Sequence, residues 1–380
     1  MDTLILSVSA GGGHMKAGEA IKECIEHKYP GARTMIVDTL RYVNPIIDKF
    51  IVGGLYLNTV KNAPILWGIL YELAESGDNV TDFSKAVNKL LSVKIKNLIN
   101  DFKPSVIVCT HPFPLQMLSN LKKKGKVNIP TVAILTDFAT HPFWLHEHID
   151  AYVVAHDYMK YEAVNRNLSE DIIHPFGIPI SKSFLQKKDR AAILRELKLE
   201  DKLTVLMMGG SLGFGEVRDT FQSLLNSKKD LQIIAITGKN TKLKRQLEKY
   251  TEASKKKVVI LSYTNRVADL MDISDLLITK PGGMTIAEAL VKELPIIIIS
   301  PIPGQEERNA HFLTNIGAAA RILDTDNVDA VLNQIIDNPL RIKHMKEMCR
   351  FLAKPNSSEN TMELLEQLVR ENERINEKYS

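Results

Sequence analysis

The sequence predicts an α/β protein built from two Rossmann-like domains, and three observations carry that prediction. Short apolar, β-prone runs alternate with helical patterns along most of the 380 residues, as in parallel sheets covered by helices. The alternation opens twice in the same way, as a strand, a glycine loop and a helix. Polar clusters follow the strand ends, where ligands bind in open parallel sheets.

In the first half, Leu4 to Ser9 is the opening strand, Ala10-Gly11-Gly12-Gly13-His14 the loop, and Lys16 to Lys28 the helix. The loop lacks the G-x-G-x-x-G spacing, which argues against a nicotinamide enzyme. A second strand ends near Val37-Asp38. The segment from Tyr42 to Asp78 is rich in Ile, Leu, Tyr and Trp and is interrupted by Pro45, Gly53-Gly54, Pro64 and Gly68. Ile47, Ile51 and Leu55 share a helical face with Lys49 and Lys61 nearby. Periodicity alone fits either a core helix pair or a helix lying in a membrane interface. The alternation resumes with a helix from Phe83 to Phe102 and strands at Ser105 to Cys109, Thr131 to Leu135 and Ala151 to Ala155. Thr110-His111-Pro112, Thr136-Asp137 and His141-Pro142-Phe143-Trp144 follow, so His14, His111, Asp137 and His141 are expected on one rim. The segment from Phe176 to Lys188 reads as the domain connection.

The second half opens with a strand at Leu203 to Met208 and the loop Gly209-Gly210-Ser211-Leu212-Gly213-Phe214-Gly215. Strands follow at Ile233 to Ile236 and Val258 to Leu261. The stretch from Thr279 to Asn309 is the most informative. An apolar run, Leu276-Leu277-Ile278, breaks into Lys280-Pro281-Gly282-Gly283, and a helical pattern opens at Thr285. Unpaired amides and the dipole of such a helix start attract anions. Glu288 lies one turn further in, placed to accept hydrogen bonds from sugar hydroxyls. A strand from Ile296 to Ser300 then delivers Pro303-Gly304-Gln305-Glu306 and Asn309. Phosphates at the glycine turn, a ribose at Glu288 and a polar group at Gln305-Glu306 describe a nucleotide-sugar ligand. The domains are expected at 1–180 and 181–350, with a charged helical tail at 351–380.

Composition narrows the function. A hydrophobic content of 44% with 25% charged residues supports a large buried core. A net charge of +4 is too mild to indicate nucleic acid. The three cysteines have no metal spacing and suit a reducing compartment. Met1-Asp2-Thr3 leads straight into strand residues, so no signal peptide is expected. Apolar runs such as Phe50 to Leu57 fall short of the about 20 residues that span a bilayer, so membrane contact is expected to be peripheral.

Gly282-Gly283 with Glu288, then Gly304-Gln305-Glu306 with Asn309, resemble the donor site of family-28 glycosyltransferases. By Gly11-Gly12-Gly13-His14, Thr110-His111-Pro112, Thr136-Asp137 with His141-Pro142 and Trp144, and Gly177-Ile178-Pro179-Ile180, the first half resembles monogalactosyldiacylglycerol synthases and processive diacylglycerol glucosyltransferases more than the family's lipid II-forming enzyme. The resemblance spans residues 3 to 350 and implies the GT-B fold, two Rossmann-like domains facing across a cleft. It also implies inverting transfer of a hexose from UDP-glucose or UDP-galactose to diacylglycerol, by an enzyme in the cytoplasm on the inner face of the cell membrane. Gly13, Gly210, Ser211, Gly213, Gly282, Gly283, Met284, Thr285, Glu288, Gly304, Gln305, Glu306 and Asn309 are then the UDP-sugar contacts. Tyr42, Ile65, Trp67, Tyr71, His141 and Trp144 are expected at the acceptor and at anionic membrane lipid. His14 is the expected general base, since its intrinsic pKa sits near working pH. A phosphate-binding or helix-capping role is the bland alternative, and Asp137 is the competing base. Asp324-Thr325-Asp326 is the sole Asp-x-Asp triplet, and Asp326 reads more simply as a helix N-cap. No metal or other cofactor is therefore expected. The alternatives are N-acetylglucosaminyl transfer to a polyprenyl-linked peptidoglycan precursor and UDP-N-acetylglucosamine 2-epimerisation.

Overall fold

The computed structural model describes residues 1–9, 12–43, 82–209, 217–323 and 328–379. The chain forms two units. One comprises Met1–Ser181, Pro303–Gln305 and Lys354–Ser380, the other Lys182–Ile302 and Glu306–Ala353.

The first unit is organised on a sheet of β1 (Thr3–Ser7), β2 (Thr34–Asp38), β3 (Val106–Cys109), β4 (Thr131–Ile134), β5 (Ala151–Val153) and β6 (Ile173–His174). Their order is β2-β1-β3-β4-β5-β6 and every pairing is parallel. Helices cover both faces, which is why the strands read as unbroken apolar runs rather than alternating ones. All residues of β1, β3 and β4 are buried. The sheet reverses direction of growth between β1 and β3, the place where such folds put ligands.

The C-terminal stretch, expected as a charged helical tail, forms a helix at Ser357–Tyr379. Met362, Leu365 and Val369 recur at helical spacing and join Ile5, Ile21, Ile25 and Val108 in one core cluster. Charged groups occupy the outer side, where Lys28 Nζ meets Glu366 Oε1 at 2.7 Å. Gly177 holds this return in place. Its φ is +94°, and a Cβ there would overlap the Cβ of Lys354. Gly177→Ala should lower stability by at least about 1–3 kcal/mol. A reduced thermal midpoint with an unchanged native circular dichroism spectrum is the expected result.

The second unit carries β7 (Thr204–Met208), β8 (Gln232–Ile236), β9 (Val258–Leu261), β10 (Leu276–Thr279), β11 (Ile296–Ile298) and β12 (Ala319–Arg321). Their order is β12-β11-β10-β7-β8-β9, again parallel throughout. Here the reversal falls between β7 and β10. The loop after β10 leads into a helix, Gly283–Val291, whose C-terminal neighbour Lys292 pairs with Asp272 at 2.8 Å. Those side chains are only 4% and 10% exposed. Lys292 also donates to the Gln186 carbonyl at 2.9 Å. This fixes the far end of the helix that presents the glycine turn.

Candidate active site

In the first unit the ends of three neighbouring strands meet at one histidine. Gly12, with φ of +82°, turns the chain out of β1 so that the helix Gly13–Lys28 begins directly behind the strand. A left-handed φ is cheap only for glycine. His14 is thereby held half-buried against the ends of β3 and β4. Its Nδ1 lies 2.9 Å from the Thr110 carbonyl oxygen and 2.7 Å from Thr136 Oγ1. Thr110 Oγ1 donates in turn to Ser7 Oγ at 2.8 Å.

This geometry fixes the imidazole's tautomer. A carbonyl oxygen can only accept, so Nδ1 must carry the proton, and the lone pair of neutral His14 resides on Nε2. Burial pushes the His14 pKa below its usual 6.5, an effect that the nearby Asp137 carboxylate and the Thr110 carbonyl partly oppose. Asp137 itself is 9% exposed. His111 packs edge-on to His14, with ring centroids 4.7 Å apart. Burial, and then the proximity of His14, holds His111 well below the ordinary histidine range.

His111 and His141 play a local part as well. His111 Nδ1 accepts from Phe113 N at 3.1 Å, and His141 Nδ1 accepts from Phe143 N at 3.2 Å. Each caps a helical turn whose first residue is proline, which is the favoured arrangement for a helix start. His156 caps its helix in the same way, at 3.3 Å from Tyr158 N. Trp144 is only 3% exposed, whereas its neighbour Phe143, 46% exposed, is the side chain at the surface. Tyr42 is exposed. Ile65, Trp67 and Tyr71 lie outside the described residues. Thr110 and Thr136, which the sequence reading names only as flanks of His111 and Asp137, prove to be the groups that grip His14.

In the second unit the turn after β10 leads into a helix start that no side chain closes. Gly282 is the N-cap of helix Gly283–Val291, and no side chain caps that end. A Cβ at Gly282 would meet nothing within 4 Å. Met284 is buried and Thr285 half-buried in the first turn, and Glu288 is 3% exposed one turn later. Asn309, fully buried, donates from Nδ2 to the Pro281 carbonyl at 3.0 Å. That bond ties the β10 turn to the helix Gln305–Asn315 that follows β11. Gly304, which with Pro303 and Gln305 counts with the first unit, has φ of +96° and immediately precedes that helix. Glu306 accepts from Ile302 N at 2.7 Å and so folds the loop back on itself. Lys280 stands at the same strand end. Burial lowers its pKa while the Glu306 carboxylate pulls it back up. Gly210, Ser211, Gly213 and the triplet at 324–326 fall outside the described residues.

Two six-stranded parallel sheets of this order, each with its reversal point beside the first strand of its unit, recur in solved structures. MurG of Acinetobacter baumannii superposes with a TM-score of 0.63 over 97% of this chain and 100% of its own, at 14% identity. The UDP-GlcNAc 2-epimerase from Neisseria meningitidis, bound to UDP-GlcNAc, gives 0.60 over 97% and 100%, also at 14% identity. The architecture is therefore GT-B. Residues 14–180 match the monogalactosyldiacylglycerol (MGDG) synthase family, and residues 204–365 match the glycosyltransferase family 28 C-terminal domain. The processive diacylglycerol beta-glucosyltransferase of Bacillus licheniformis is 31% identical over 360 residues, covering 94% of this chain and 92% of that protein. Its counterpart in Bacillus cereus strain AH187 is 30% identical over 365 residues, covering 95% and 92%. The chain belongs to the family-28 glycosyltransferases, in the group of the diacylglycerol glycosyltransferases.

Proposed function

We propose that the protein transfers a hexose from a UDP-sugar to the free hydroxyl of diacylglycerol, with His14 as general base. The observation that carries the mechanism is the fixed tautomer of His14, which leaves a neutral Nε2 lone pair available. Nε2 takes the hydroxyl proton as the acceptor oxygen bonds to the anomeric carbon. The bond from that carbon to the UDP oxygen breaks, and the pair of electrons leaves with the diphosphate. Asp137, beside the same imidazole, stabilises the imidazolium that forms. The amides at Gly282-Gly283 and the ammonium of Lys280 supply positive potential for the departing diphosphate. Glu288 serves the ribose, and Gln305 with Glu306 the hexose.

The two relatives described above are named glucosyltransferases, which favours UDP-glucose over UDP-galactose as donor. A lipid acceptor requires work at a bilayer surface. No helix among the described residues is long and apolar enough to cross a membrane, and the reading adopted is peripheral binding at the inner face of the cell membrane. Because the positive potential comes from the polypeptide, turnover is expected to persist in EDTA. Complete loss, restored by magnesium or manganese, would overturn that part of the reading.

The experiment uses diacylglycerol liposomes with UDP-glucose, UDP-galactose or UDP-N-acetylglucosamine in separate reactions, and identifies lipid products by mass. Hexosyl-diacylglycerol from UDP-glucose is expected. Conversion of UDP-N-acetylglucosamine without any lipid product would instead mark an epimerase.

A further inference from the structure

We propose that Thr136 is a positioning residue for the reaction, acting through His14; this rests on the reading of His14 as the base. Thr136 is 4% exposed and directly follows the apolar run that contains β4. Its Oγ1 lies 2.7 Å from His14 Nδ1, closer than the Thr110 carbonyl oxygen at 2.9 Å. Both oxygens face the same ring nitrogen. Since the carbonyl forces a proton onto Nδ1, Thr136 Oγ1 receives a share of that N–H rather than donating to it. Two acceptors on one side of the ring set its rotation, and they aim Nε2 away from the strand ends. Both bonds strengthen as Nε2 takes a proton, because a charged N–H is the better donor. Thr136 thus favours the state in which charge has developed, which is where an interaction accelerates a reaction. The adjacent Asp137 works on the same imidazole by charge. The two neighbours divide the task, with Thr136 setting direction and Asp137 setting potential.

The remaining contacts make the oxygen, rather than the bulk of Thr136, the informative group. The Thr110 side is braced from behind by Ser7, whereas Thr136 reaches His14 through its own hydroxyl. Thr136→Val keeps the shape and removes the acceptor; Thr136→Ala removes it without requiring a valine to fit; Thr136→Ser keeps it. The three are compared with His14→Ala in diacylglycerol glycosylation across pH, with UDP affinity and thermal midpoint as checks on folding. Both Thr136→Val and Thr136→Ala should lower kcat about tenfold to a hundredfold, the range for losing a hydrogen bond to a charged group. KM for the UDP-sugar should hold, and the acidic inflection of kcat/KM should move to lower pH, because the imidazolium has lost an acceptor. Thr136→Ser should restore most of the rate and the wild-type inflection. Wild-type kcat and inflection in the oxygen-free variants, alongside an inactive His14→Ala, would overturn the role of Thr136 while leaving His14 as the base. Full activity in His14→Ala would overturn both.

Discussion

Replacing His14 with alanine is expected to lower transfer about 10²- to 10⁴-fold, the usual contribution of a positioned acid or base. UDP affinity should be retained, because the groups assigned to the diphosphate and the ribose, Gly282-Gly283 and Glu288, lie on the β10 turn and the helix behind it. The pH dependence follows from the same site. Burial holds the His14 pKa below its ordinary 6.5, so the base form survives to lower pH than in an exposed imidazole. The acidic limb of kcat/KM should therefore fall below pH 6.5. Stability changes in the same direction. The unfolded chain takes up these protons near 6.5, whereas native His14 and His111 resist them. Their contribution is complete above that pH and is lost as pH drops below it. Chemical denaturation at pH 7.5 and 5.5, for wild type and for a His111→Asn variant that keeps a capping group, measures this. The variant should lose less stability on acidification.

The second large effect is expected at Glu288. Glu288→Ala should weaken UDP and UDP-glucose alike, because a contact to the ribose is common to both ligands. A lost hydrogen bond to a carboxylate corresponds to about 1.5–3 kcal/mol, or roughly tenfold to over a hundredfold in affinity. Gln305→Ala should behave differently, weakening UDP-glucose while leaving UDP nearly unchanged. Calorimetric titration of both ligands against both variants separates the two assignments. Equal losses for the two ligands in Gln305→Ala would remove Gln305 from the sugar site.

How much of this was legible in the sequence depended on the physical source of each signal. The central strands were visible because both faces of each sheet are covered, which demands continuous apolar runs such as Leu276-Leu277-Ile278. The edge strands β6, Ile173–His174, and β12, Ala319–Arg321, are too short to carry a pattern. The anchoring face of the helix Ser357–Tyr379 was hidden by its abundant charge, though Met362, Leu365 and Val369 stand at helical spacing. The glycine turns were legible because they need an unusual backbone or an open approach, as at Gly12 and Gly282. His111 and His141 stood out as reactive side chains, yet their prolines also mark helix starts, and capping accounts for their Nδ1 atoms. Thr136 gave no comparable signal, since a threonine at a strand end is ordinary. Only the register that brings β1, β3 and β4 side by side reveals what it touches.

The anomeric configuration of the product tests the central claim most directly. With α-linked UDP-glucose and diacylglycerol liposomes, the proton coupling at the anomeric carbon of the purified glycolipid can be read by NMR. A single displacement assisted by His14 acting on the acceptor hydroxyl predicts the β-anomer. An α-linked product would contradict it, because retention of configuration cannot arise from one in-line attack by a deprotonated acceptor.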